Sequence, residues 1–313
     1  MFNLFNTTSN NKLQEKMIND NTSRITLSFY KYFYIRNPLL FRNNLYILFY
    51  SLNILGRVYV SKEGVNAQIS IPKDISSYFK NILLNFSNEF NNIIINESID
   101  NNNFSFWVLR IKVRNKLVSD GIEDKNFNPY IVGTYLNADL VNVMFNERKS
   151  IFVDMRNNYE YAIGHFDTAI NINRSRFRDQ LKIIVKELEP YRNNNIILYC
   201  TGGIRCEKST AWLKYHGFKH IYHIKNGIIG YVNEARKKNL PIYFKGKNFV
   251  FDARLTEKIS EDILSFCQQC NNPCDTYVNC SYSKCHLLFI QCTKCSHIFN
   301  YCCSSICQRK INI

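Results

Sequence analysis

Strand-like apolar runs and one helical period make up the first third of the chain. The strand patterns lie at residues 26–34, 55–71 and 107–113, and a helical pattern lies at 76–90. The apolar run 45–55 predicts a further core strand. This order predicts a small α+β domain over residues 23–120, and a ferredoxin-like arrangement is its simplest form.

Strand and helix patterns alternate regularly through the middle of the chain. Strands are predicted at 151–154, 196–200 and 221–224, and helices at 178–188, 207–216 and 228–238. Such alternation predicts a parallel sheet covered on both faces, which we place at residues 146–245 after a linker at 121–145. Ligands of such sheets bind beyond the carboxyl ends of the strands.

The two ends of the chain lack these patterns. Residues 1–22 are Asn-rich and polar, and we expect a disordered tail without a signal peptide or anchor. No stretch approaches the ~18 apolar residues of a membrane-spanning helix, so we expect no membrane association and a cytoplasmic location. Residues 246–313 hold ten of the twelve cysteines, and in a reducing compartment such clusters bind metal more often than they form disulfides.

The net charge of +15 favours a polyanionic partner such as nucleic acid. The chain is also rich in Asn, Ile, Lys, Tyr and Phe, the residues that AT-rich codons favour, so mutational drift is an alternative source of part of this charge. Charge therefore supports an RNA partner without establishing one.

A cysteine stands where a buried strand turns into a helix. Gly202 and Gly203 allow the backbone to curl with positive φ, so that successive N–H groups can converge on the Cys200 sulfur. The positive end of the following helix and the Arg205 cation would favour the thiolate further. The sequence therefore predicts Cys200 as a catalytic nucleophile with Arg205 as its counter-cation. The predicted active loop comprises Cys200, Thr201, Gly202, Gly203, Ile204, Arg205 and Cys206.

The Cys-x4-Arg spacing is one residue shorter than the phosphate loop of cysteine phosphatases and resembles the loop of rhodanese domains. The upstream segments 151–156 and 164–172 resemble the D-x-R…G-H-I-x-G-A-x-N-I pattern of the same domains. The resemblance implies a rhodanese-like parallel α/β central domain. We expect Asp154 and Arg156 to brace the active loop by ion pairing. A purely structural cysteine is the alternative, although it would need neither the glycines nor the arginine.

Two C-x2-C pairs mark the cysteine-rich region. Cys267/Cys270 and Cys292/Cys295 have the spacing with which two thiolates bind one tetrahedral ion, and we predict that these four bind a structural zinc. The remaining cysteines could form a second site. An iron–sulfur cluster and a disulfide cluster are the alternatives, and spacing does not determine which cysteines share a metal.

Four segments together resemble the rhodanese-domain tRNA uridine hydroxylases. They are residues 64–68, 200–208, 246–254 and 285–292, and they span nearly the whole chain after the tail. The resemblance implies an acylphosphatase-like N-terminal domain, a central rhodanese domain and a cysteine-rich C-terminal region. Asn226-Gly227 replaces the Gly-Gly that is common in the family, and Asn173 stands where a proline often follows Asn-Ile.

The activity implied by the resemblance is oxygen-dependent conversion of the wobble uridine (position 34) of tRNA to 5-hydroxyuridine, with Cys200 as the active cysteine. Molecular oxygen is the implied co-substrate, and no nucleotide-cofactor fingerprint is present. Addition of Cys200 to uracil C6 is one mechanistic hypothesis. A persulfide sulfurtransferase and a non-catalytic RNA-binding protein remain alternatives, and Cys206 is either a resolving thiol or a buried helix-start residue.

Basic residues near the domain junction are expected to contact tRNA phosphates. These residues are Arg57, Lys62, Arg174, Arg176 and Arg178. The turn at 61–66 is either a plain hairpin turn or part of this docking surface, and the three later arginines alternatively belong to a solvated loop.

Overall fold

The N-terminal domain is a five-stranded sheet covered by helices. The computed structural model describes residues 4–100 and 104–311. The elements of this domain are α1 (Asn10–Ile18), β1 (Arg24–Tyr32), α2 (Pro38–Ser51), β2 (Leu55–Ser61), β3 (Gly64–Pro72), α3 (Phe79–Phe86), β4 (Asn96–Glu97) and β5 (Leu109–Val113). The sheet order is β4-β1-β3-β2-β5, with β3 antiparallel to both β1 and β2. This confirms the ferredoxin-like arrangement, to which β5 adds an edge strand parallel to β2.

The strand predicted over residues 45–55 is wrong, because most of this run belongs to helix α2. Its start has helix signals, since Asn37 accepts a hydrogen bond from the Leu40 N–H and Pro38 occupies the first turn. Leu45 and Phe49, four residues apart, are both fully buried. A short apolar run does not separate a buried strand from a buried helix by its periodicity.

Two further segments differ from expectation. The N-terminal segment that was expected to be disordered includes helix α1, whose Met17 is buried; residues 1–3 of that segment lie outside the described residues. The helix predicted over 76–90 is interrupted, because α3 ends at Phe86 and a separate 3-10 helix, Asn88–Phe90, follows. Buried Phe90 packs in the same core as α3.

The central domain is a parallel sheet, as predicted, but it begins inside the segment 121–145 that was expected to be a linker, because β6 pairs with β11. Its elements are β6 (Thr134–Leu136), α4 (Ala138–Asn146), β7 (Ser150–Asp154), α5 (Asn158–Ala162), β8 (Gly164–Phe166), β9 (Ile170–Asn171), α6 (Phe177–Glu187), β10 (Asn195–Tyr199), α7 (Ile204–Tyr215), β11 (Ile221–Ile224) and α8 (Gly227–Lys237). The sheet order is β6-β11-β10-β7-β9, and each neighbouring pair is parallel. Ile197 and Tyr199 of the central strand β10 pack into one core cluster, while Ile196 and Leu198 pack into another. Both faces of the sheet are therefore covered.

The cysteine-rich region is joined to the central domain by strand pairing. Its elements are β12 (Phe244–Phe249), β13 (Thr256–Lys258), β14 (Tyr277–Asn279), β15 (Leu288–Ile290), α9 (Thr293–Ile298) and α10 (Ser305–Ile311). Strand β12 pairs antiparallel with both β8 and β13, so the expected boundary at 245/246 falls inside a strand. The Tyr277 hydroxyl also donates to the Tyr159 carbonyl at 2.6 Å. Within the described residues, no helix has the length and apolar character needed to cross a membrane.

Candidate active site and cysteine centres

Cys200 lies at the carboxyl end of β10, where the sequence placed it. It is 1% exposed, and the Gly203 N–H donates to its Sγ at 3.2 Å. Gly203 has a φ of 97°, so the turn before α7 needs a glycine there. Of the two glycines that allow such a turn, only Gly203 lies in the left-handed region. One left-handed residue is enough to turn the chain from the strand into the helix.

The surroundings of the Cys200 thiol favour its ionised form. Burial alone would raise the pKa of Cys200, but the Cys206 thiol, the Arg205 charge and the backbone N–H groups of Cys206 and Arg205 outweigh it and lower this pKa to about 6. The Cys206 thiol has a pKa raised well above its ordinary value, mainly by burial, so it stays protonated and donates. At neutral pH Cys200 is mostly a thiolate.

The start of α8 packs directly against the active loop. The Ile228 N–H donates to the Cys200 carbonyl at 2.9 Å, and a Cβ on Gly227 would lie 2.3 Å from that same oxygen. Gly227 has a φ of 63° and Asn226 a φ of 60°, so the asparagine that replaces a family glycine does adopt left-handed geometry. Gly227 was not predicted as a site residue, although the Asn-Gly pair before a helix was a signal for it.

Arg205 is held by a carboxylate that the sequence prediction did not include in the site. Its guanidinium donates to both Glu160 oxygens, at 2.7 and 2.8 Å, and Glu160 is fully buried. Burial would raise the pKa of Glu160, but Arg205 holds it below its ordinary value. Thr201 also donates to Glu160 at 3.3 Å. The sequence signal for Glu160 was its position in Tyr159-Glu160, between the two rhodanese-like segments 151–156 and 164–172.

Asp154 and Arg156 form a second buried ion pair. Their side chains are 2.7 Å apart and fully buried, and the Gln180 side chain donates to the Arg156 carbonyl at 2.6 Å. Within the described residues, neither side chain makes a hydrogen bond to residues 201–206. The pair instead stabilises the end of β7, which lies beside β10. Its support of the active loop stays a prediction.

Cys200 faces a cavity of about 1110 Å³ that all three regions line. The N-terminal domain contributes Tyr30, the central domain contributes Ile204, and the cysteine-rich region contributes Phe251. The predicted RNA-binding residues Arg57, Arg176 and Arg178 also line this cavity. Lys62 and Arg174 do not, and both are exposed.

The turn at 61–66 joins two domains. It is a hairpin turn between β2 and β3. Its Glu63 forms an ion pair with Lys208, with 2.7 Å between the lysine Nζ and the carboxylate Oε2. Lys208 is buried and also pairs with Asp120, which follows β5, at 2.7 Å. Glu63 of this turn therefore makes an interdomain contact, and Lys62 is its exposed residue.

The cysteine-rich region contains two groups of four thiols, each with all Sγ atoms within 4.8 Å of one another. One is the predicted set, Cys267, Cys270, Cys292 and Cys295. The other comprises Cys280, Cys285, Cys303 and Cys307.

The thiol separations in both groups fit one tetrahedral ion. The Cys270–Cys292 and Cys303–Cys307 sulfurs are each 3.7 Å apart, and thiolates at ~2.3 Å from a zinc ion lie about 3.8 Å apart. A cluster of several iron atoms would hold its thiolates farther apart. All twelve cysteines are free thiols in this structure. Both groups could therefore hold a metal ion.

Comparison with known families supports this three-part organisation. The profile described as UPF0176 acylphosphatase like domain matches residues 24–117. The Rhodanese-like domain profile matches residues 137–234, and the profile described as Rhodanase C-terminal matches residues 245–308.

Similar proteins cover nearly the whole chain. A protein of Buchnera aphidicola subsp. Baizongia pistaciae is 54% identical over 311 residues, which is 99% of each chain. A protein of Buchnera aphidicola subsp. Acyrthosiphon pisum (strain Tuc7) is 53% identical over 99% of this chain and 95% of its own length. A protein of Erwinia tasmaniensis is 48% identical over 98% of this chain and 88% of its own length. All three carry the name tRNA uridine(34) hydroxylase, and at this identity and coverage the chain belongs to that family.

Proposed function

We propose that this chain hydroxylates uridine 34 of tRNA, giving 5-hydroxyuridine, with Cys200 as the active cysteine. The observation that carries the proposal is a thiolate-favouring cysteine that lines an interdomain cavity. Ligand pockets commonly measure about 300–1,000 Å³, so this cavity has room for a nucleoside extruded from the anticodon loop. Action on tRNA also implies a cytoplasmic location.

The chemistry begins with nucleophilic addition. The Cys200 thiolate forms a bond to uracil C6, and the electrons of the C5=C6 bond move to C5 and O4 as an enolate. The electron-rich C5 then takes one oxygen atom from molecular oxygen. The second oxygen atom leaves as water, with two electrons and two protons from a cellular reductant such as a thiol.

Product release reverses the addition. The C5 proton is lost, its bonding electrons re-form the C5=C6 bond, and the C6–S bond breaks. Arg205 and the N–H groups of the active loop stabilise the thiolate that leaves. These groups are in place before the substrate binds, so no rearrangement is required at this step.

The basic residues of the cavity support tRNA binding. Arg57, Arg176 and Arg178 come from two different domains and line one cavity, where they can neutralise phosphates on either side of the extruded nucleotide. We expect the affinity for an anticodon stem-loop to fall as salt rises. Affinity that is independent of salt would contradict this part of the proposal.

Each four-cysteine group is proposed to hold one zinc ion. Zinc bound by four thiolates has a closed coordination sphere and serves folding rather than catalysis. The first group connects the segment after β13 to the start of α9. The second connects the segment after β14 to α10.

The test uses a host strain that lacks its own enzyme of this kind. The wild-type gene should restore 5-hydroxyuridine in bulk tRNA, measured by mass spectrometry, and the Cys200→Ala gene should not, at equal protein levels. Restoration by Cys200→Ala would remove the catalytic role of the cysteine. If the wild-type gene restores nothing and the purified protein transfers sulfur from thiosulfate, the sulfurtransferase alternative is correct.

A further inference from the structure

Glu207 presents a carboxylate to the same cavity as Cys200. It lies in the first turn of α7, is 7% exposed and lines the cavity. One oxygen, Oε1, accepts hydrogen bonds from the hydroxyls of Tyr30 at 2.8 Å and Tyr135 at 2.7 Å. Within the described residues, its other oxygen accepts no hydrogen bond. One oxygen is therefore anchored, and the other is available to a ligand.

This carboxylate lies beside the active loop. The Tyr30 hydroxyl is 3.0 Å from the position of a Cβ on Gly203, whose N–H donates to the Cys200 sulfur. Tyr30 therefore contacts both Glu207 and the turn that surrounds the thiolate. A base bound over Cys200 would have Glu207 in the adjoining wall.

Among the described residues, no lysine or arginine forms an ion pair with Glu207. The neighbouring Arg205 is paired with Glu160, and Lys208 is paired with Glu63 and Asp120. Tyr30 and Tyr135 donate to Glu207, Tyr32 lies close enough for its own pKa to be raised by the Glu207 charge, and Lys225 lines the same cavity. Burial raises the pKa of Glu207 and outweighs the opposing effect of the two tyrosine hydrogen bonds. A carboxylate of raised pKa suits general base catalysis near neutral pH.

We propose that Glu207 is the general base that removes the C5 proton of the uracil ring as Cys200 leaves C6. The role rests on the proposed function. The free oxygen takes the proton, the C5–H electron pair re-forms the C5=C6 bond, and the C6–S bond pair returns to Cys200 as a thiolate. The step is redox-neutral, and Glu207 later releases the proton to water. Tyr30 and Tyr135 are positioning residues, because they fix the other oxygen.

The deciding variant is Glu207→Gln. Its amide oxygen can accept the same tyrosine hydrogen bonds, but it takes no proton. We expect wild-type folding and tRNA binding, a decrease in 5-hydroxyuridine of about 100-fold or more, and accumulation of a covalent complex between the protein and tRNA. Mass spectrometry should find the oxidised nucleotide bound to Cys200 in this complex. Tyr135→Phe retains the carboxylate and serves as the matched control, with a smaller decrease.

The possible outcomes separate this role from the proposed function. If the wild type hydroxylates tRNA and Glu207→Gln does so at a similar rate, the base role is overturned alone. Loss of product without a covalent complex, in a variant that folds and binds tRNA normally, also overturns it. A wild type that neither hydroxylates tRNA nor forms a complex overturns the proposed function together with this role.

Discussion

Removing the charge of Arg205 alone should destabilise the protein strongly. The guanidinium donates to both oxygens of Glu160 at 2.7 and 2.8 Å, and the Glu160 side chain is fully buried. The Arg205→Gln variant leaves that carboxylate buried without its cation. Breaking a buried pair from one side costs about 3–5 kcal/mol, and we expect the free energy of unfolding to fall by that amount at neutral pH. The double variant Glu160→Gln/Arg205→Gln removes both charges and should recover most of the loss.

Urea unfolding followed by circular dichroism and tryptophan fluorescence measures these differences. Trp212 lies in α7, the helix that also bears Arg205, so its fluorescence reports on this domain. Arg205 holds the pKa of Glu160 below its ordinary value. The pair therefore stabilises the protein fully at pH values above the ordinary pKa of a glutamate. This stabilisation is lost as the pH falls through the lower pKa that Glu160 has in the folded protein. The gap between wild type and Arg205→Gln should therefore close in acid. The reasoning would be refuted if the free energy of unfolding of Arg205→Gln lay within about 1 kcal/mol of the wild-type value at neutral pH. It would also be refuted if the difference in free energy of unfolding persisted in acid.

Three other predictions follow from the site. The Cys206→Ala variant loses the hydrogen bond from the Cys206 thiol, so the pKa of Cys200 should rise above about 6. The pH dependence of the rate of alkylation by iodoacetamide measures this pKa, and an unchanged midpoint of that dependence would contradict the prediction. Gly227→Ala should abolish hydroxylation and lower the melting temperature, since its Cβ would lie 2.3 Å from the Cys200 carbonyl, whereas Gly202→Ala should be tolerated because a Cβ there meets nothing within 4 Å. Equal behaviour of the two alanine variants would show that this packing is unimportant. Elemental analysis of the wild-type protein should find two zinc ions per chain. The Cys303→Ser variant should hold one, and the matched control Cys302→Ser should still hold two. A different stoichiometry, or the same loss in both variants, would count against the second zinc site.

The features that local sequence predicted well are those that depend on neighbouring residues. The parallel sheet followed from alternating strand and helix periods, and the position of Cys200 followed from an apolar run that ends at a glycine-rich turn. The first cysteine group followed from two C-x2-C pairs. The run 45–55 was misread because a stretch of that length without a clear period fits either a strand or a helix. Its helical state depends on burial of Leu45 and Phe49 in the N-terminal core.

The tertiary structure decided what surrounds the reactive sulfur. Glu160 meets Arg205 across 45 residues of sequence, and Tyr30 meets Glu207 across 177. Neither spacing carries a periodic signal, because such pairs are set by how the domains pack and not by local backbone geometry. The second cysteine group was undetermined for the same reason, since folding selects Cys303 and leaves the adjacent Cys302 outside. The residues near the sulfur could be read from a short stretch of chain, whereas the carboxylates that control charge and protons there come together only when distant segments enclose one cavity.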